Sequence, residues 1–207
     1  MSNRRDGLSV ALHAVALCGS PRLHGNTEVY LNAALGALKE HGIHTELVSL
    51  ADTQILSCRA CYACWESRER VCQLKGDSFG AIYEAMLGAD ALLVGSPVHY
   101  GAVHPNVWSV LVRAGFPWMK GHPHSAPRPF ARKIGAPITV ARRAGHNTAF
   151  AQLLMWFFIN EFIVPGSTYW SVGVARAPGD ATHDDEGIAT ARRVGENIAW
   201  LLGKTRA

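Results

Sequence analysis

Short apolar runs, each leading sooner or later into a longer stretch of helical periodicity, divide this chain from end to end. AVALCG (14–19) precedes TEVYLNAALGALKEHG, in which Val29, Leu31, Ala34, Leu35 and Leu38 share one helical face and Gly42 supplies a C-cap. TELVSLA is a second strand and leads into a cysteine-rich segment, after which DSFGAIYEAMLGAD reads as a helix. ALLVGSP is a third strand, and PNVWSVLVRAG is a helix entered through Pro105. KIGAPITVA is a fourth strand, residues 147–162 an apolar helix, FIVPGSTYWSVGV a broken fifth strand, and DEGIATARRVGENIAWLLG a closing helix. Parallel strands need helical crossovers, so this alternation predicts an α/β architecture with a parallel sheet and helices on both faces. The 207 residues suit a single domain, 1–207, with the cysteine-rich insertion at about 56–76. KGHPHSAPRPFARK (120–133) is the one long unpatterned loop: a surface excursion, a lid or an oligomer contact.

Composition excludes several partners. The formal charge is +4, but the 20 basic residues are scattered and no basic tract is interleaved with aromatics, which argues against nucleic acid. NRRDGLSVALHAVALCGS imitates an export signal, yet His13 interrupts its apolar run and Leu17 precedes Cys18 where a small residue is needed, so the stretch reads as the first strand. AFAQLLMWFFINEFIV carries Gln152, Asn160 and Glu161 and is too short to span a bilayer, so no membrane partner is expected. The expectation is a cytoplasmic protein, where disulfides are disfavoured.

Ligands of such sheets bind beyond the carboxyl ends of the strands. That rule selects loops 19–27, 95–101 and 141–147. In GSPRLHGNT, Ser20, Asn26 and Thr27 stand beside a helix N-terminus, where backbone N–H groups and the dipole favour an anion, and Arg22 adds charge. The loop is neither GxGxxG nor a Walker A sequence. It suits one terminal monophosphate, as on FMN; the alternative is a helix start with Asn26 as N-cap. In GSPVHYG, Gly95 and Gly101 let the backbone approach a flat ligand, and His99 and Tyr100 stand at its rim.

GSPRLHGNT, the cysteine cluster, GSPVHYG, ARRAGHN and VPGSTYW, in this order and at these intervals, resemble the flavodoxin-like NADPH-dependent FMN reductase family, and within it the iron-sulfur flavoproteins. The resemblance spans about residues 12–203. It implies a flavodoxin-like doubly wound five-stranded parallel sheet, order 2-1-3-4-5, binding FMN. Ser20, Arg22, Asn26 and Thr27 would hold the phosphate, Ser96, Pro97, Val98, His99, Tyr100 and Gly101 would line the ring, and the loop from Arg142 to Asn147, with Gly145, would close on the ring or the phosphate side. It further implies NAD(P)H or a reduced carrier as electron donor, a small-molecule acceptor or redox carrier protein as partner, and a homodimer or homotetramer. The alternatives are a cluster-free FMN or quinone reductase and a non-enzymatic flavodoxin-type carrier. Hydride transfer to flavin N5 needs no side-chain acid or base, so no catalytic residue is assigned. Two departures stand out: KGDSF replaces an acidic pair after the cysteines, and Val112 rather than an acidic residue precedes Arg113.

CRACYACWESRERVC (58–72) holds four of the five cysteines. Cys58, Cys61 and Cys64 follow the C-x2-C-x2-C run of ferredoxins, with Cys72 able to return as the fourth ligand of a 4Fe-4S cluster. Zinc, more often held by two separated C-x2-C pairs, and reduced structural or redox thiols compete. Similarity to the iron-sulfur flavoproteins favours the cluster. Arg59, Arg68, Arg70 and Lys75 surround it in sequence, as a solvated loop or as charges that raise its potential. Cys18 stands apart as a small buried residue. Helix 147–162 is apolar over most of its circumference, which fits a face covered by a second copy.

Overall fold

The computed structural model describes residues 11–120 and 128–205; the middle of the 120–133 loop, with His122 and His124, and the paired arginines near the N-terminus lie outside them. In chain order the elements are β1 (His13–Cys18), α1 (Asn26–Glu40), β2 (His44–Ser49), α2 (Ala63–Glu66), α3 (Phe79–Gly88), β3 (Ala91–His99), β4 (Ala102–Val103), α4 (Pro105–Gly115), β5 (Ile134–Ala141), α5 (His146–Ile159), β6 (Val172–Val174) and α6 (Asp185–Thr205). Short 3-10 turns occupy Phe116–Met119 and Asp180–His183. The sheet runs β2-β1-β3-β5-β6, all parallel, which is the expected 2-1-3-4-5 order once the short β4 is set aside.

Side-chain alternation explains the layering. Ala14, Ala16 and Cys18 of β1 pack with Ala91 and Leu93 of β3 beneath α1 and α6, where Tyr30, Leu31, Leu38, Val194 and Ile198 are buried. Val15, Leu17, Leu92 and Val94 point the other way into a core with α3, α4 and α5. The period of two along each strand therefore feeds two separate cores.

Three local expectations change. β3 runs two residues beyond Pro97 and folds back through Tyr100 (φ 52°) and Gly101 (φ 77°) into β4, pairing Val98 with Val103 and His99 with Ala102. A two-residue turn with both residues at positive φ matches the twist of a hairpin. The fifth apolar run is mostly not strand, because Pro165 and Gly166 interrupt it; only Ile163 bridges to Ile134 before Val172–Val174 rejoins β5. α5 stops at Ile159, short of 162, where the Asn160 amide donates back to the Trp156 carbonyl at 2.8 Å and Glu161 turns left-handed (φ 65°). No helix among the described residues is long and apolar enough to cross a membrane.

Candidate functional site

A crevice of about 220 Å3 opens beyond the carboxyl ends of the central strands. Its first wall is the loop after β1. The Ser20 hydroxyl donates to the Arg22 carbonyl at 2.8 Å and accepts from the Arg22 N–H at 3.1 Å, closing a tight turn. Gly25 packs against that hydroxyl so closely that a Cβ would lie 2.4 Å from Ser20 Oγ. Gly25, not Asn26, is the N-cap of α1, and it offers no side chain to the first N–H groups of the helix. Those donors and the helix dipole face a crevice lined also by Arg22, Arg142 and Arg176. No acidic residue is among the residues lining it. The arrangement suits an anionic group at this end.

Asn26 lines the crevice and also has a structural task. Its amide donates to the Ala177 carbonyl at 2.7 Å, and its oxygen accepts from the N–H groups of Gly179 at 3.0 Å and Ala181 at 3.3 Å. It staples α1 to the loop after β6, which forms a fourth wall through Ala175, Arg176 and Pro178. That wall was missed because the broken fifth run hid the strand end from which it departs; the strand-end rule itself would have found it.

The second wall is Pro97, Val98 and His99, and the third is Val140, Ala141 and Arg142. Gly145 (φ 92°) joins them: a Cβ there would meet Val98 Cγ1 at 2.9 Å and the Gly101 Cα at 3.1 Å. Of the expected contacts, Ser20, Arg22, Asn26, Thr27, Pro97, Val98, His99 and Arg142 line the crevice, while Ser96, Tyr100, Gly101 and Gly145 do not. Ser96 is fully buried, with its hydroxyl accepting from the His104 N–H and donating to the Pro97 carbonyl. Tyr100 projects from the hairpin tip into solvent. His104 caps α4 by accepting from the Asn106 N–H; burial, and then neighbouring His99, lower its pKa.

The four clustered cysteines line a second, small cavity, together with Tyr62, Leu74 and Phe116. Cys58 and Cys72 are half-buried, Cys61 is exposed and Cys64 is buried. Burial, then the proximity of Cys72, Cys58 and Cys61, pushes the Cys64 thiol up. Among the described residues no three metal-ligating side chains gather closely enough for a single ion. A tetrahedral zinc would need sulfurs within about 4 Å of one another, given Zn–S bonds near 2.3 Å. A cubane needs its thiolates further apart, and a donor set of four thiols with no carboxylate or imidazole serves either a cubane or a zinc ion. Ala60 (φ 50°), Tyr62 (φ 59°) and Arg70 (φ 52°) all sit in the left-handed region between the cysteines, each at a cost of about 1–2 kcal/mol. Tyr62, Trp65 and Phe116 pack their rings together beneath them.

Arg113 of α4, singled out in sequence only for its neighbour, is the centre of this region. It is buried, donates to both oxygens of Asp77 and lies 4.1 Å over the Phe79 ring. Burial alone would depress the guanidinium, but its bonds to Asp77 and Cys72 outweigh that and raise its pKa. Burial likewise works against the Asp77 carboxylate, and the bonds from Arg113 and the Leu56 N–H hold it below the ordinary range. The KGDSF segment thus carries a buried partner for Arg113.

Comparison with known proteins bears on both sites. The family profile of the NADPH-dependent FMN reductases matches residues 12–177. An iron-sulfur flavoprotein of Methanocaldococcus jannaschii is 33% identical over 198 residues, covering 92% of this chain and 97% of that one. An iron-sulfur flavoprotein of Methanosarcina thermophila is 27% identical over 188 residues, 90% and 93% of the two chains. Among solved structures, RosB with a bound 8-demethyl-8-formylriboflavin-5'-phosphate superposes with a TM-score of 0.71 at 19% identity, over 95% of this chain and 82% of that one. A WrbA-like flavodoxin of Agrobacterium tumefaciens does so with 0.64 at 13%, over 94% and 99%.

Proposed function

The chain belongs to the NADPH-dependent FMN reductase family, with iron-sulfur flavoproteins as its curated relatives, and from that premise we propose that it passes electrons between NAD(P)H or a reduced carrier and a small acceptor through FMN and a 4Fe-4S cluster. It is a flavin-dependent oxidoreductase; the cluster, the donor and the acceptor are the proposal. One observation carries the flavin assignment: the uncapped start of α1 and three arginines converge on a crevice without acidic residues, at the strand ends where the fold binds ligands. In this reading the first turn of α1 and Arg22 hold the phosphate, and the Pro97–His99 and Arg142 walls flank the ring. Cys58, Cys61, Cys64 and Cys72 would hold the cluster. When bound, FMN exchanges one or two electrons and the cluster one, which lets hydride donors and single-electron carriers meet. The protein's part is to position both groups and shield them from water.

Two further parts of the reading concern surroundings. The first is a cytoplasmic location, the compartment in which reduced thiols persist. A homo-oligomer is supported by Trp108, Met155 and Ile159, exposed around an apolar groove of about 340 Å3 between α4 and α5. Sedimentation of the Ile159→Glu variant tests the second: dissociation relative to the wild type is expected.

Anaerobic purification followed by a visible spectrum and iron and sulfide analysis tests the whole. Flavin with about four irons per chain is the expected result. Flavin without iron, even after anaerobic reconstitution, would leave a cluster-free FMN reductase, and no affinity for FMN would overturn the reading altogether.

A further inference from the structure

Arg113 has five N–H donors, and the structure accounts for all of them. Nε donates to Cys72 Sγ at 3.3 Å, Nη1 to the Leu56 carbonyl at 3.0 Å and to Asp77 Oδ2, and Nη2 to the Leu74 carbonyl at 3.1 Å and Asp77 Oδ1 at 3.3 Å. Leu56 stands two residues before the first cysteine of the set and Leu74 two residues after the last. One side chain, fully buried on a helix of the main core, therefore grips both ends of the cysteine segment and touches a sulfur between them.

Stability is a weak reason for such a pair. Buried ion pairs are commonly replaceable by packed apolar residues at little or no cost, and α4 already presents Val110, Leu111 and Ala114 to this core. An apolar side chain could fill the space. It could neither donate to a sulfur nor hold two carbonyls that fix where the cysteines enter their cavity.

Resting on the cluster assignment made above, we infer that Arg113 is the positioning and potential-setting residue of the cluster, fixing the Cys72 thiolate through its N–H···S bond. One-electron reduction adds one negative charge to the cluster and its thiolates. A hydrogen bond and a positive charge at a ligand sulfur stabilise that more negative state and raise the reduction potential. Asp77 opposes this from the far side of the guanidinium, so the two members of the pair act with opposite signs. The strained Ala60, Tyr62 and Arg70 turns persist because the flanks of the segment are held in this way.

The test uses wild-type, Arg113→Lys and Asp77→Asn chains with FMN bound, each reconstituted anaerobically with iron and sulfide. Iron content, flavin content and the cluster midpoint from a titration followed by electron paramagnetic resonance are read. Arg113→Lys keeps a charge for Asp77 but loses the bond to sulfur, and its midpoint should fall by at least a tenfold change in the one-electron constant, about 59 mV. Asp77→Asn leaves the guanidinium uncompensated, and its midpoint should rise, with FMN content unchanged in both. A role confined to folding would change how much cluster each variant retains, not the midpoint of what remains. Unchanged midpoints, or shifts of the same sign, overturn the inference while leaving the cluster assignment intact. Should Arg113→Lys take up no iron, Asp77→Asn alone decides, and an unshifted midpoint there overturns it. A wild-type chain that takes up no iron removes the cluster assignment and this inference together.

Discussion

Replacing Asn26 by alanine separates a wall-holding role from direct contact with the flavin. The side chain makes three hydrogen bonds to the Ala177–Ala181 segment. Each is worth about 1 kcal/mol net, but the site is partly open, so water recovers some of the loss and about 1.5–2 kcal/mol of stability should disappear. That is a folding constant lower by a factor of roughly 10–30. Because the freed segment is the fourth wall of the crevice, FMN affinity should fall as well, by about tenfold if one wall becomes mobile. Urea unfolding of the flavin-free protein by circular dichroism gives the first quantity, and flavin fluorescence quenching the second. Arg22→Ala serves as the contrast, since the exposed Arg22 side chain has no hydrogen-bond partner among the described residues, and its loss should weaken FMN with stability unchanged. The reasoning fails if Asn26→Ala leaves the flavin-free protein as stable as wild type while FMN binding drops, because Asn26 would then be touching the flavin itself.

Other outcomes follow from buried titratable groups. Cys18 is 1% exposed and burial pushes its thiol up to about 11, so iodoacetamide near neutral pH should spare it in the folded, cluster-free protein while exposed Cys61 reacts; mass spectrometry of the peptides checks this. Asp184 is pulled upward by burial, but the N–H groups of Val174 and Gly187 and the Tyr30 hydroxyl outweigh that and hold its pKa below the ordinary range. A depressed folded-state pKa gives stability that is complete above the unfolded value of about 3.9 and is lost as pH falls through the folded value. Acid unfolding of the wild type should therefore steepen below about pH 4, and Asp184→Asn should be less stable at neutral pH with a shallower acid dependence.

Much of this protein was legible in the sequence because the decisive signals are local. Strand-length apolar runs with a period of two, helices bounded by Pro105 and Gly42, and four cysteines within fifteen residues each state a preference that neighbouring residues do not contest. Elements joined by crossovers then leave few topologies, so the parallel sheet and the rim where ligands bind followed from pattern alone. Where local signals competed, the sequence was silent. Tyr100 and Gly101 belong to a hairpin tip that points into solvent, because two residues at positive φ let β3 fold back on itself. The tertiary structure alone decided which polar side chains bond to one another across the frame. Asn26, which lines the crevice, is also a staple across more than 150 residues of chain, and Arg113 became the hub of the cysteine segment through partners 36 to 57 positions away. Such bonds depend on which groups folding buries beside one another, and a buried donor takes whatever acceptor lies within reach; no spacing along the chain encodes that.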